Sequence, residues 1–348
     1  MRDREAIRFS TALRYNSSFL GRKMVETNRL EAAGLIPYSH GVYALESGYG
    51  RPILAAIHLI VQDGRVAIVD TANNASLAKV EAALQALGLD EDCVDYVVLT
   101  HIHLDHAGGA GAYMQAFPNA RLVVHPRGAR HMAEPSKLWA GVVAVYGEVR
   151  AQEFYGELIP VAAERIIEAE HKTVLSLAGR ELLCLDLPGH AKHHIGLVDK
   201  TGEGIFTGDT FGLSYRELDM TVNGTVQQYI FPTTTPVQFD PEAMHRSIDL
   251  LLSFQLPYMF LTHYSRVHDV ARLGKDLHRL IDAHVALVDG VSTTSEERQT
   301  ELVDGINQLL FAEAERYGWT LPREQLLDIF ALDIELNAQG LAFWKDNR

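Results

Sequence analysis

Residues 94–106 read VDYVVLTHIHLDH. Val94–Leu99 is a short apolar run with β-branched and aromatic side chains, the pattern of a buried strand. It ends at Thr100, and four polar residues then crowd into six positions: His101, His103, Asp105 and His106. His101 and His103 are two apart, so an extended backbone points both imidazoles to one side. Asp105 and His106 follow where the chain turns toward a helix. Three imidazoles and a carboxylate at one strand end would desolvate and repel one another unless a cation neutralised them. Imidazole with carboxylate suits zinc, iron or manganese. The alternative is four polar residues in an exposed loop, and the rest of the chain argues against it.

Three further candidate ligands each stand just beyond an expected strand. His190 follows Leu187-Pro-Gly after strand 181–187, Asp209 follows Thr207-Gly after strand 204–207, and His263 follows Thr262 after strand 257–261. Singly, His190 reads equally well as a turn histidine and Asp209 as a helix cap or Gly-Asp turn, and His263 reads better as a surface histidine. Together they are a set, because each strand carries its residue to a rim where side chains leave the core. Asp70 ends strand 66–69 in the same way.

Working outward, Gly41–Leu45, Ile53–Val61 and Val66–Val69 read as strands, with Asp63-Gly64 as a hairpin turn. Leu77, Val80, Leu84 and Leu87 recur at helical spacing across 74–87. A helix over 108–117 and a strand over 120–124 follow. Residues 126–168 read as a mostly helical insertion placed over a site. Strands resume at 173–177, 181–187, 195–198 and 204–207. Asp240 caps a helix over 241–252. From about Arg266 no strand signal remains, and Val270, Leu273, Leu277, Leu280, Ile281 and Val285 share one helical face. Further helices are expected near 295–316 and 322–345. The expected division is therefore a catalytic domain over 1–265 and a helical extension over 266–348, with 1–38 lying across the main body. Leu326, Ile329, Phe330, Ile334, Leu341, Phe343 and Trp344 need cover, so the extension either caps the active site or makes a homodimer.

Bulk properties narrow the function classes. Of 348 residues, 47% are hydrophobic and 22% charged, enough for a sizeable core. The net charge of −14 repels phosphate backbones and anionic membranes at long range, so neither nucleic acid nor membrane is an expected partner and a small-molecule substrate is. Two cysteines, Cys93 and Cys184, exclude a disulfide scaffold and a cysteine-rich zinc site. Cys184 falls inside a strand and reads as core. The N-terminus has no apolar run behind its charges and no span reaches membrane length, which points to the cytoplasm.

The order H-x-H-x-D-H, then G-H, then T-G-D, then a late T-H, resembles the metallo-β-lactamase-fold superfamily over residues 40–264. The resemblance implies an α+β fold, an αββα sandwich with metals at one edge between two sheets. It implies two divalent ions, zinc foremost with iron or manganese as alternatives. His101, His103 and His190 would hold the first, and Asp105, His106 and His263 the second. Asp209 would bridge them, and Asp70 would orient a ligand. The catalytic roles then fall to Asp105, Asp209 and His263. His194 is expected behind the ligands, and His193 in solvent. His40 and His58 read as structural, and His268, His278 and His284 as outside the metal site. The implied reaction is attack on an ester, lactone or thioester carbonyl by a hydroxide that two cations generate near neutral pH. A phosphodiesterase and an iron-dependent redox enzyme are the alternatives. Tyr215, Arg216, Thr233, Thr234 and Tyr264 are candidate substrate contacts, because TFGLSYR follows the bridging aspartate and the FPTTTPV loop could form a wall. The segment after Asp209 matches neither glyoxalase II nor the persulfide dioxygenases, so the chain resembles the broad glyoxalase II-like and lactonase-like branch.

Overall fold

The computed structural model describes residues 29–234, 237–292 and 295–348. Most of the expectation for 1–38, that it lies across the main body, concerns residues outside this set. Seven strands form one sheet in chain order: β1 (Leu35–Pro37), β2 (Val42–Glu46), β3 (Ala56–Gln62), β4 (Arg65–Val69), β5 (Val94–Val98), β6 (Arg121–Val124) and β7 (Ile166–Glu168). The first four pair antiparallel and the last four parallel. A second sheet contains β8 (Val174–Leu177), β9 (Arg180–Asp186), β10 (Ile195–Asp199), β11 (Gly204–Gly208), β14 (Tyr258–Leu261) and β15 (Ser265–Val267), in the order β15-β14-β11-β10-β9-β8.

Strand alternation explains why the sheets stack. Val42, Ile60, Ala67, Val69, Val98 and Val123 of the first sheet share an apolar cluster with Leu182, Cys184, Ile195, Leu197, Phe206 and Phe260 of the second. Their sequence neighbours Leu45, Leu59, Ile68, Val97 and Leu122 point the other way, into a cluster under the helices. Both faces are therefore apolar, which is why these strands read as continuous hydrophobic runs. Burial pushes the Cys184 thiol up to about 12, consistent with its place in the core.

Helices cover the outer faces. Between the strands of the first sheet the chain forms α1 (Leu77–Leu87), α2 (Leu104–Ala107), α3 (Ala110–Ala116), α4 (Pro126–Ala133), α5 (Ser136–Tyr146) and α6 (Glu148–Tyr155). Then come α7 (Pro241–Ser253), α8 (Val270–Leu287), α9 (Ser295–Tyr317) and α10 (Arg323–Asn347). The apolar stripe of α8, with Leu273, Leu277, Leu280 and Ile281, and that of α10, with Leu326, Phe330, Ile334 and Leu341, belong to the same buried cluster as the outer face of the sheets. Phe343 stays 38% exposed. No described helix is long and apolar enough to cross a membrane.

Five strands depart from the sequence reading. The 126–168 stretch ends in β7, which pairs parallel with β6. β15 pairs with β14 across the expected boundary at 265/266, where no strand was expected; a three-residue edge strand has too few positions to show alternation. β1, equally short, escapes for the same reason. A small hairpin of β12 (Met220–Val222) and β13 (Thr225–Gln227) turns at Asn223-Gly224, a dipeptide that signals such a turn.

Candidate metal centre

All seven candidate ligands converge on one rim. β4, β5, β11 and β14 deliver Asp70, the His101–His106 segment, Asp209 and His263 at their C-terminal ends. β9 delivers His190 after a turn, and the antiparallel β10 begins one residue after His194 at the same edge. Two glycines make these turns feasible. Gly208 has φ 47°, and a Cβ there would sit 2.6 Å from Thr100 Oγ1 and 2.7 Å from His194 Nε2. Gly189 has φ 140°, and a Cβ there would lie 2.3 Å from the Met244 backbone. The glycines of T-G-D and P-G-H thus let each ligand-bearing turn close against its neighbour.

The donors fall into two groups. His101 Nε2 lies 2.9 Å from His103 Nδ1, which lies 3.0 Å from His190 Nε2. Asp105 Oδ2 lies 3.5 Å from His106 Nε2 and 3.3 Å from His263 Nε2. Asp209 stands between them: Oδ1 is 3.3 Å from His106 Nε2 and 3.7 Å from His263 Nε2, while Oδ2 is 3.5 Å from His190 Nε2. Donors 2.0–2.1 Å from a tetrahedral cation are about 3.3 Å apart, so these spacings fit two cation cages sharing one carboxylate. His101-His103-His190, His101-His106-Asp209 and Asp105-His106-His263 each present ligand atoms within 4.8 Å of one another. His106 Nε2 and Asp209 Oδ1 are buried and have no hydrogen-bond partner among the described residues. Unsatisfied buried polar atoms are costly, and two that face each other across a ligand cluster fit a cation between them.

The opposite ring nitrogens are held. His190 Nδ1 donates to Thr233 O at 3.1 Å, and His263 Nδ1 to Leu54 O at 2.9 Å, which turns each Nε2 inward. Asp70 orients His106 through a 2.8 Å contact between Oδ2 and Nδ1. Its carboxylate also accepts from the Thr100 amide at 2.8 Å, from Thr100 Oγ1, and from Thr262 Oγ1 at 2.8 Å. The threonines that precede His101 and His263 therefore tie both ligand segments to one buried anion. His194 Nε2 accepts from the Asp209 amide at 3.1 Å and fixes the backbone of that residue.

Electrostatics separates the two groups. Burial, reinforced by neighbouring imidazoles, holds His101 and His103 well below the usual histidine range, so both are neutral and able to ligate. Burial also opposes charge on His106, but Asp105, Asp209 and Asp70 outweigh it and raise that histidine well above its ordinary value. The same contest takes His263 up to about 9. Burial works against ionisation of Asp209, yet His106, His263 and His190 keep it a carboxylate.

A cavity of about 310 Å³ opens on this rim. His103, Asp105 and Asp209 form its floor, Leu138 and Val142 of α5 one wall, and Leu332 and Leu336 of α10 the other. None of the five expected substrate contacts lines it, and hydrogen bonding explains why. Tyr215 is buried behind the rim, its hydroxyl donating to Asp333 Oδ2 at 2.9 Å. Arg216 folds back on Ser214 and pairs with Asp219 at 3.2 Å. Thr233 Oγ1 donates to Asp209 O at 2.8 Å. Thr234 is bound through its amide to Asn337 Oδ1 at 2.7 Å, and Tyr264 packs with Ala44 and Ala56. His193, expected in solvent, is buried and stacks on His101 with ring centroids 6.2 Å apart. His58 is buried edge-on against the stacked pair Phe206 and Phe260. The walls come from the 126–168 insertion, expected over a site, and from the C-terminal extension, for which a cap was one of two expectations; sequence reasoning missed Asn337, although a buried asparagine on an apolar helical face is a signal of such a tie.

Residues 50–263, more than half of the chain, match the Metallo-beta-lactamase superfamily. The chain belongs to that superfamily. It is 31% identical over 167 residues to a metallo-beta-lactamase fold-containing protein of Sulfurisphaera tokodaii, covering 46% of this chain and 58% of the relative. It is 31% identical over 152 residues to a hydroxyacylglutathione hydrolase of Stenotrophomonas maltophilia, covering 44% of each. The chain thus spans about half the length of the curated relatives it matches. The solved structure of a metallo-beta-lactamase family protein from Thermus thermophilus superposes with a TM-score of 0.58 at 21% identity, covering 88% of this chain and 92% of that one, and shows the shared superfamily fold.

Proposed function

We propose that this superfamily member is a dinuclear metal-dependent hydrolase acting on a small-molecule ester, lactone or thioester. The observation that carries the reading is Asp209, whose two oxygens face two separate donor groups. The relatives named hydroxyacylglutathione hydrolase support carbonyl hydrolysis as the reaction class. His101, His103 and His190 would hold one ion, Asp105, His106 and His263 the other, and Asp209 both. Zinc fits these nitrogen and oxygen donors, as iron and manganese do. When bound, the two ions would supply an activated water and a Lewis acid for the substrate carbonyl.

The chain's own groups do the rest. Asp105 lies on the cavity floor, and although burial opposes its charge, His106 and His263 keep it ionised. It can therefore accept a hydrogen bond from the attacking water and orient it toward the substrate carbonyl. Asp70 and His194 hold His106 and Asp209 in register, so the donor geometry is set before substrate arrives. The walls from α5 and α10 exclude bulk water and receive the acyl group.

Turnover on a panel tests the proposal: an acyl-homoserine lactone, a glutathione thioester, a p-nitrophenyl ester, bis-p-nitrophenyl phosphate and a β-lactam, with metal-loaded protein and an Asp209→Ala control. Hydrolysis of a carbonyl substrate that the control lacks is the expected result. Turnover of the phosphodiester alone, or of nothing at full metal load, contradicts it.

A further inference from the structure

Beyond the metal rim, the 310 Å³ cavity has a neighbour, a second concavity of about 320 Å³, and His131, His193 and Gln238 line both. The two differ in chemistry. The first is mainly apolar, with Leu138, Val142 and Leu336 facing the ligands. The second is lined by Arg127, Arg130 and Lys192, and no carboxylate lines it. Lys137 stands on the wall of the first. These four cations are exposed, and none makes an ion pair with a carboxylate among the described residues. Elsewhere arginines pair freely, as Arg65 does with Asp95 and Arg298 with Asp346. The local positive field also reaches His131: burial, then Arg130 and Lys137, push it below its ordinary value.

In a chain of net charge −14, an unpaired cationic hollow beside an apolar reaction cavity is a specific feature. Long-range repulsion of anions is overcome only where such a patch focuses the field. We propose that the substrate is an acyl thioester whose thiol carries nucleotide phosphates, of the coenzyme A type: the acyl chain lies between α5 and α10, the thioester carbonyl meets the metal rim, and the phosphates rest on Arg127, Arg130 and Lys192. The inference rests on the hydrolase reading above. The step is redox-neutral. Water oxygen bonds to the carbonyl carbon, the C–S bond breaks, and the thiolate leaves with the electron pair. One water proton goes to the thiolate and the other to solvent as the acid ionises.

The test compares octanoyl-coenzyme A with the octanoyl thioester of N-acetylcysteamine, which has the same reacting bond and no phosphate. The wild type should favour the former by at least about tenfold in kcat/KM at low salt, mainly through KM. The preference should collapse toward one in an R127S/R130S/K192S variant, and for the wild type in high salt. In Gly141→Phe, octanoyl turnover should fall by roughly tenfold or more relative to acetyl; a Cβ at Gly141 on the cavity wall meets nothing within 4 Å, so the change fills the cavity without disturbing the helix. Equal turnover of both thioesters, a preference that survives the triple substitution, or turnover confined to an acyl group carried on a phosphopantetheinylated protein would each overturn the proposal while leaving the hydrolase reading intact. If no ester or thioester is turned over, the hydrolase reading fails. Calorimetry with the non-hydrolysable octyl-coenzyme A thioether then decides the subsite: binding lost in the triple variant upholds it, and no binding to wild type overturns it.

Discussion

The rim and the walls of the cavity are built by different means. The rim consists of strand ends and what directly follows them: most ligands stand within a few residues of a strand, Asp105 and His106 lie in the short helix α2 after β5, and the sheets fix their positions. The walls are helices far apart in sequence, α5 and α10, brought together by packing and by a few polar ties such as Asn337. A rim made this way should tolerate changes in the walls, and the walls should set which substrate enters without deciding whether chemistry occurs.

Substitution of the shared carboxylate should show the largest effect. Asp209→Ala is expected to lower kcat/KM by at least about a thousandfold on any carbonyl substrate, measured beside the metal content of the purified protein. A modest loss would mean that the two donor groups act separately. Removing the rim's support should cost less. Asp70→Ala frees His106, Thr100 and Thr262 from their common acceptor and should weaken metal binding by about 10–100-fold in chelator competition. Unchanged affinity would show that the strands alone orient the ligands.

On the wall side, Asn337 donates to Pro232 O at 2.9 Å and accepts from the Thr234 amide. Asn337→Leu leaves both buried groups unpaired and should destabilise the protein by roughly 1–3 kcal/mol in urea denaturation, with KM raised more than kcat changed. An equal loss in kcat would merge wall and rim into one unit. The smallest effect concerns pH. Burial lowers His284 on α8 to about 4, only partly opposed by its bond to Leu280 O. The unfolded chain binds this proton near 6.5 and the folded chain does not, so the stabilisation is complete above pH 6.5 and lost as pH falls from there toward 4. His284→Leu should remove roughly 1 kcal/mol of the stability difference between pH 7.5 and about pH 5.5; an unaltered slope would place the acid sensitivity elsewhere.

The same contrast explains what was legible beforehand. The convergence of His101, His103, Asp105, His106, His190, Asp209 and His263 could be read because a strand pattern followed by a polar residue is a local signal, and the αββα frame came from the superfamily resemblance that their order carries. Asp70 was readable for the same reason. The walls were legible only as an insertion over a site and an extension that could cap it; which residues line them was not, because nothing local in SKLWAGVVAV or in LDIELN says that the two segments face each other. The five expected substrate residues lie off the cavity lining, and adjacency was the weak signal: standing near Asp209 or His263 in sequence placed Tyr215 and Tyr264 behind the rim, where Asp333 and the β2–β3 alanines hold them. His193 was misread because its neighbours are polar, whereas the antiparallel start of β10 folds it against His101.

The central claim, two ions sharing one carboxylate, is tested most directly by native mass spectrometry of the zinc-reconstituted protein alongside His103→Ala and His263→Ala. The account predicts two zinc ions in the wild type and one in each variant, since each substitution dismantles one donor group and leaves the other. A single ion in the wild type, or the loss of both from either variant, would contradict it.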